Sequence, residues 1–209
     1  FLLEDFLSFR SFIKGLYFYF RIFFLRPKLT KIHEAFCFSD SMMNLFPVLK
    51  WDWECSLFGV MSIERIFQGV MFDSMAQSLR SKPWGLYTWE NQPWELSLIS
   101  AWRRHQEEAQ IIAYEHSSVR PLDLRSLLDP RAFQESDLGV FPLPDKLAVI
   151  SPSGLSLLKE SNYPLDCLTR VEALRYFWFK GKYESQKKEL QESDRTLLVL
   201  TGATWDEAQ

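Results

Sequence analysis

Two short stretches concentrate the groups that can move protons or hold sugars. In Trp89-Glu90-Asn91-Gln92-Pro93-Trp94-Glu95, two carboxylates and two amides share one turn. Carboxylates in a cleft act as general bases or bind sugar hydroxyls. Pro93 suits the first turn of a helix, so Glu90, Asn91 and Gln92 precede a helix N-terminus, whose free N–H groups receive an anion such as a phosphate. The same residues have a plainer use, in which Asn91 and Glu95 simply cap the helix. The second stretch is Glu115-His-Ser-Ser-Val-Arg120. His116 is a proton-transfer group suited to neutral pH. Ser117 and Ser118 flank it, and the Arg120 guanidinium can grip a phosphate or carboxylate in bidentate fashion. Here too a plain reading stands: a structural histidine, and an Arg120 paired at the surface with Asp123 or Asp129. Adjacent Ser and His do not make a catalytic triad, which needs spatial and not sequential neighbours.

Other chemistries find little to stand on. His33, His105 and His116 share no ligand spacing, and neither HExxH nor HxxEH occurs, so no metal is expected. There is no P-loop, no GxGxxG and no GxSxG elbow. Cys37, Cys55 and Cys167 form no CxxC pair, and three scattered cysteines point to a reduced, cytoplasmic setting. A formal charge of -3 without a long basic block argues against duplex nucleic acid as a partner. Aromatic residues make up 16% of the chain, with 18 Phe and 8 Trp, enough for a heavy aromatic core and for lining a sugar cleft as well.

The elements that would position these residues follow from local patterning. Leu86–Trp89 reads as a strand, Trp94 to about Gln106 as a helix, and Gln110–Tyr114 as a second strand. This strand–helix–strand unit predicts a parallel pair with a right-handed crossover. Both polar loops, 90–92 and 115–120, then begin where a strand ends, and ligands of parallel sheets sit at the carboxyl ends of strands. Asp145–Ile150 is a further strand. Ser151-Pro-Ser-Gly154 caps a short helix through Glu160, and Val171–Arg175 is expected to be helical. Residues 1–26 form an amphipathic helix with Arg10, Lys14 and Arg21 in one narrow arc, and Pro27 ends it. That helix either packs on the body of the protein or lies in a membrane interface with its cations toward anionic lipid. From Trp53 to Arg80, apolar residues at helical spacing predict one long helix, or two joined near Gly69. Three regions result: a helical one over 1–80, an α/β one over 81–180, and a charged linker over 181–194. After the linker, Arg195–Thr204 reads as a buried strand and turn, and 205–209 as the opening of a helix. A first residue that is Phe and an ending that starts a new βαβ unit imply a segment of a longer protein, with 181–209 entering a second domain.

Over residues 84–205 the chain resembles a family of bacterial surface carbohydrate (O-antigen, capsule) biosynthesis proteins. The resemblance rests on Trp89-Glu-Asn-Gln-Pro-Trp-Glu95 and then Ile112-Ala-Tyr-Glu-His-Ser-Ser-Val-Arg120, with Ala113 where the family commonly has Gly. Leu124-Arg125, Asp129-Pro130, Pro144-Asp145, Val171-Glu-Ala-Leu-Arg-Tyr176 and Leu197-Leu-Val-Leu200 continue it. It implies a Rossmann-like parallel sheet with flanking helices, the N-terminal half of a GT-B-like glycosyltransferase. Such a half faces the acceptor, while the nucleotide-sugar donor binds the other domain. On that analogy Glu90 is the base or substrate-binding carboxylate and His116 its partner at the reacting centre. Asn91, Gln92, Glu95, Ser117, Ser118 and Arg120 would bind substrate. No cofactor beyond the donor is implied. The expected partners are the donor, a glycan or lipid-linked acceptor, and an inner-membrane surface met through residues 1–26. The alternative is a non-catalytic glycan-binding or scaffolding domain at that surface.

Overall fold

A computed structural model describes residues 2–29, 43–79, 84–117, 119 and 141–174. Contacts divide the chain into two compact units, Phe1–Val171 and Glu172–Gln209, and every element below lies in the first. Five α-helices accompany a four-stranded parallel sheet among the described residues. In chain order they are α1 (Phe9–Leu29), α2 (Phe46–Phe58), α3 (Val60–Ser78), β1 (Trp84–Trp89), α4 (Pro93–His105), β2 (Gln110–Glu115), β3 (Lys146–Val149), α5 (Pro152–Glu160) and β4 (Leu168–Arg170). The fold class is therefore mixed α/β, as expected.

Strand order is β1-β2-β3-β4, every neighbouring pair parallel. Alternation along each strand sorts the side chains. Tyr87 and Trp89 of β1, Ile111, Ala113 and Glu115 of β2, and Leu147 and Val149 of β3 turn inward and are buried. Helices α4 and α5 cover this face. Trp102 of α4 lies so close over Gly85 that a Cβ there would meet its ring at 2.8 Å, which is why the strand carries glycine at that point. Leu158 of α5 joins the same core. On the opposite face Trp84 and Leu86 are exposed.

The helical region is held to the sheet through α4. Helix α3 packs against α4 on one side and against α1 on the other. Gln106, buried after the last turn of α4, donates from Nε2 to the carbonyls of Ala76 (3.0 Å) and Leu79 (3.2 Å), closing the end of α3 onto α4. Asp145 does the same for the sheet: its Oδ2 accepts from the Ile111 N–H at 2.7 Å, and its Oδ1 takes Arg103 of α4 at 2.8 Å. α1 runs antiparallel to α3, since Ser11 meets Ser74, Lys14 meets Asp73, and Gly15 lies against Phe67. Small residues at positions 11 and 15 allow that close approach.

Several boundaries differ from the sequence expectation: the first α-helix begins at Phe9 and not at the first residue, and α2 begins at Phe46, ahead of Trp53. Helix α1 continues to Leu29, past Pro27; a proline near the end removes one hydrogen bond, and the helix runs out two residues later. The long helical stretch breaks at Gly59 rather than Gly69, with a bend of 43° between α2 and α3. The Gly59 N–H bonds back to Cys55 O, and a Cβ at Gly59 would sit 2.8 Å from that oxygen, so the turn needs glycine. Gly69 lies within α3 and meets only Ser97 at ordinary contact. Finally, Leu168–Arg170 is a strand paired with β3, and Val171–Ala173, expected to be helical, is irregular. Arg175, Arg195–Thr204 and 205–209 lie outside the described residues.

Among the described residues no single helix is long and apolar enough to cross a membrane. α2 and α3 meet that test only when counted together across their bend, and α3 is already sandwiched between α1 and α4.

Candidate active site

Parallel register brings the two sequence stretches together. Trp89 pairs with Glu115, the last residues of β1 and β2. The residues that follow, Glu90 and His116, therefore leave the sheet side by side. His116 keeps one more backbone bond, its N–H to Trp89 O at 3.4 Å. Alternation points Trp89 and Glu115 into the core, so the next residues face outward. Glu90 Oε1 lies 3.3 Å from His116 Nδ1, and the two side chains retain 43% and 46% of their exposure. This is a close approach of the two groups, an ion pair only when the imidazole is protonated, and it stands half open to solvent. Ser117 follows on the exposed side. Ser118 and Arg120 lie outside the described residues.

The turn from β1 into α4 is built around a different carboxylate. Glu95 is 2% exposed. Its Oε1 accepts the N–H of Glu90 and of Gln92, each at 2.9 Å, and the Asn91 N–H also turns to it. Three successive amides thus close on one side chain. Asn91 adopts φ 54°, the left-handed conformation that asparagine tolerates, and this curls the amides inward. Gln92 is the residue before the first helical turn, half-buried, with extended backbone. Burial pushes the Glu95 carboxyl up, partly offset by these N–H bonds, while the nearby Glu90 charge adds to the rise. The N–H groups of the turn ahead of the helix are thus taken by the protein's own carboxyl group, and Glu95 holds the turn that aims Glu90 instead of meeting substrate itself.

Glu115 is the second buried carboxylate, 0% exposed. Its Oε2 accepts the Ile150 N–H at 2.5 Å and its Oε1 the Val119 N–H at 3.2 Å, and the Ser151 N–H contributes. Burial raises its pKa, and the backbone bonds work against the rise. One side chain thereby ties the exit of β2 to the exit of β3, to the start of α5 and to the loop after His116. Nothing in the sequence singles Glu115 out: in Gln110-Ile-Ile-Ala-Tyr-Glu115 both rows of the strand are apolar, and only the structure shows that Glu115 continues the inward row of Ile111 and Ala113. At α5, Ser151 caps as expected, its Oγ accepting from Gly154 N at 3.0 Å.

A small crevice of about 10 Å³ lies behind the turn, between Tyr87, Asn91, Glu95 and Tyr163. Tyr87 Oη is buried there with no hydrogen-bond partner among the described residues, and burial holds both phenols far above their ordinary range. Its size admits about one water and no substrate. A larger cavity, about 500 Å³, opens between α1, α3 and α4, lined by Phe18, Ile22 and Val70 with Lys14, Arg65 and Arg104 among its cations. It is a separate feature from the Glu90–His116 pair, none of whose residues line it. Among the described residues no three His, Cys, Asp or Glu side chains gather as a metal would need.

Set against known proteins, the chain matches no family model, no curated protein and no solved structure. The site must be read from its own geometry. The four strands step in one direction without reversal, so among the described strands there is no switch-point crevice of the doubly wound kind. What the geometry offers is a carboxylate and an imidazole held in contact at the carboxyl edge of the two neighbouring strands β1 and β2, each backed by a buried carboxylate that fixes its loop.

Proposed function

We propose that this chain takes part in sugar transfer from a nucleotide-sugar donor to a glycan or lipid-linked acceptor in surface-polysaccharide biosynthesis. In this reading it is the acceptor-side, Rossmann-like domain of a GT-B-like protein. The observation that carries it is the Glu90–His116 contact at 3.3 Å on the carboxyl edge of a parallel sheet. The family resemblance supplies the reaction class. Glu90 accepts the proton of an acceptor hydroxyl as that oxygen bonds the anomeric carbon. The bond from that carbon to the diphosphate breaks, and the nucleoside diphosphate leaves with its electron pair. His116 orients Glu90 through Nδ1 and shares the proton, while Ser117 and Gln92 hold acceptor hydroxyls. Ser118 and Arg120 keep the substrate-binding roles that the resemblance implies.

The half-open state of the pair also supports a second reading, a non-catalytic domain that binds a glycan. Glu90→Gln and His116→Asn separate the two. In membranes from cells producing the protein, transfer of labelled sugar to endogenous acceptor is expected to fall by about 10²–10⁴-fold in each variant. Unchanged transfer by both variants removes the base assignment. If Glu90→Gln restores surface polysaccharide to a deletion strain as well as wild type does, the binding reading replaces the enzymatic one.

A further inference from the structure

Helix α1 carries two faces of unlike character. Its inner face, with Ser11 and Gly15, rests on α3. On the outer side Phe9, Ile13, Tyr17, Phe20 and Phe24 recur at helical spacing, within an arc of about 80° at 100° per residue. All five are exposed, Phe9 at 82% and Phe24 at 77%. Such a row is far more apolar than a surface helix needs. Beside it, in the next arc, stand Arg10, Arg21 and Lys14. Phe9–Leu29 holds Arg10, Lys14, Arg21, Arg26 and Lys28 and not one Asp or Glu, although the whole chain has a net charge of -3.

From this we infer that α1 is a docking surface for an anionic lipid bilayer, lying in the plane of the headgroups with its aromatic row in the acyl boundary and Arg10 and Arg21 at the lipid phosphates. Charge selects this occupant. A second copy seated on the same face would set cation against cation, whereas an anionic bilayer meets both the apolar row and the charges alongside it. The length of α1 does not argue for a span, since its cations interrupt it throughout. The lipid is recognised here by its phosphate charge and its acyl chains, independently of the transferase reading.

Flotation of the whole chain with phosphatidylglycerol–phosphatidylcholine vesicles, against phosphatidylcholine alone, tests this. Binding is expected to favour the anionic vesicles by about tenfold or more and to weaken as salt rises. Phe9→Ser, Phe20→Ser and Phe24→Ser together should lower it by about tenfold or more. Arg10→Glu with Arg21→Glu should abolish the preference for anionic lipid, and this second variant decides the matter if the triple one fails to fold by circular dichroism. Anionic-vesicle binding that survives the altered aromatic row or the altered charges overturns the inference. So does the absence of vesicle binding together with a dimer, seen by sedimentation velocity, that the same substitutions dissociate.

Discussion

Among the described residues, two histidine–carboxylate pairs stand in different surroundings. At the sheet edge, Glu90 and His116 touch at 3.3 Å with nearly half of each side chain open. In the helical layer, His105 Nε2 lies 2.9 Å from Asp73 Oδ1. Asp73 there also takes Lys14 from α1 at 2.6 Å and Arg104 from α4 in a short contact, and its side chain is only 14% exposed. Burial alone would raise the Asp73 carboxyl. The hydrogen bonds from Lys14 and His105 and the charges of Lys14 and Arg104 outweigh it and hold the group below the usual carboxylate value. One pair is thus a clamp joining α1, α3 and α4. The other stands where β1 and β2 end, with nearly half of each side chain exposed. The same two functional groups form a clamp where cations and burial surround them, and stay half exposed where two strands end.

Mutation separates the two pairs. The largest effect is expected one residue inward from the edge pair. Glu115→Ala leaves the N–H groups of Ile150, Val119 and Ser151 without their shared acceptor, and should lower stability by about 3 kcal/mol in urea unfolding with an unchanged slope. Asp73→Ala should cost less, about 1–2 kcal/mol, because Lys14 and Arg104 are themselves well exposed and screened. It carries a pH signature as well. A carboxyl lowered on folding stabilises above its unfolded pKa and loses that contribution as pH falls through the folded value. Thermal unfolding of Asp73→Ala should therefore lose less stability than wild type on going below about pH 4. Glu95 and Glu115, raised on folding, act with the opposite sign: their contribution is full below the unfolded pKa and fades as pH climbs through the raised values. The smallest effect belongs to Glu90→Gln, within about 0.5 kcal/mol of wild type. A Glu90→Gln loss equal to that of Asp73→Ala would make the edge pair a second clamp and remove the contrast.

Much of this arrangement was legible in the chain. The apolar runs at 86–89 and 110–114, the proline-led helix at 93 and the serine cap at 151 are local signals, and they place Glu90 and the loop that carries His116 at strand ends without any structure. The division of labour among the carboxylates was less legible. Glu90 and Glu95 are five residues apart in one polar turn, and either reads equally well as a base or a cap. Which one the helix N-terminus claims depends on the left-handed Asn91, which turns three amides toward Glu95. Similarly, Gly59 and Gly69 are interchangeable on paper as a helix break. Only the clash that a side chain at position 59 would make with Cys55 O distinguishes them.

Most of the secondary structure is a short-range property, set by side-chain volume and polarity along a few residues, so the sequence by itself determined it; which face of a strand is buried is not, since β1 exposes Trp84 and Leu86 and buries Tyr87 and Trp89. Contacts between residues 26 or 63 positions apart, such as Glu90 with His116 and Ser11 with Ser74, depend on parallel register and helix packing. Those follow from the summed fit of many apolar side chains around Ala113, Leu147 and Trp102, and no local pattern encodes that sum. The tertiary structure alone therefore decided that Asp73 is a clamp, that Glu95 and Glu115 are spent on the backbone, and that Glu90 faces outward beside an imidazole.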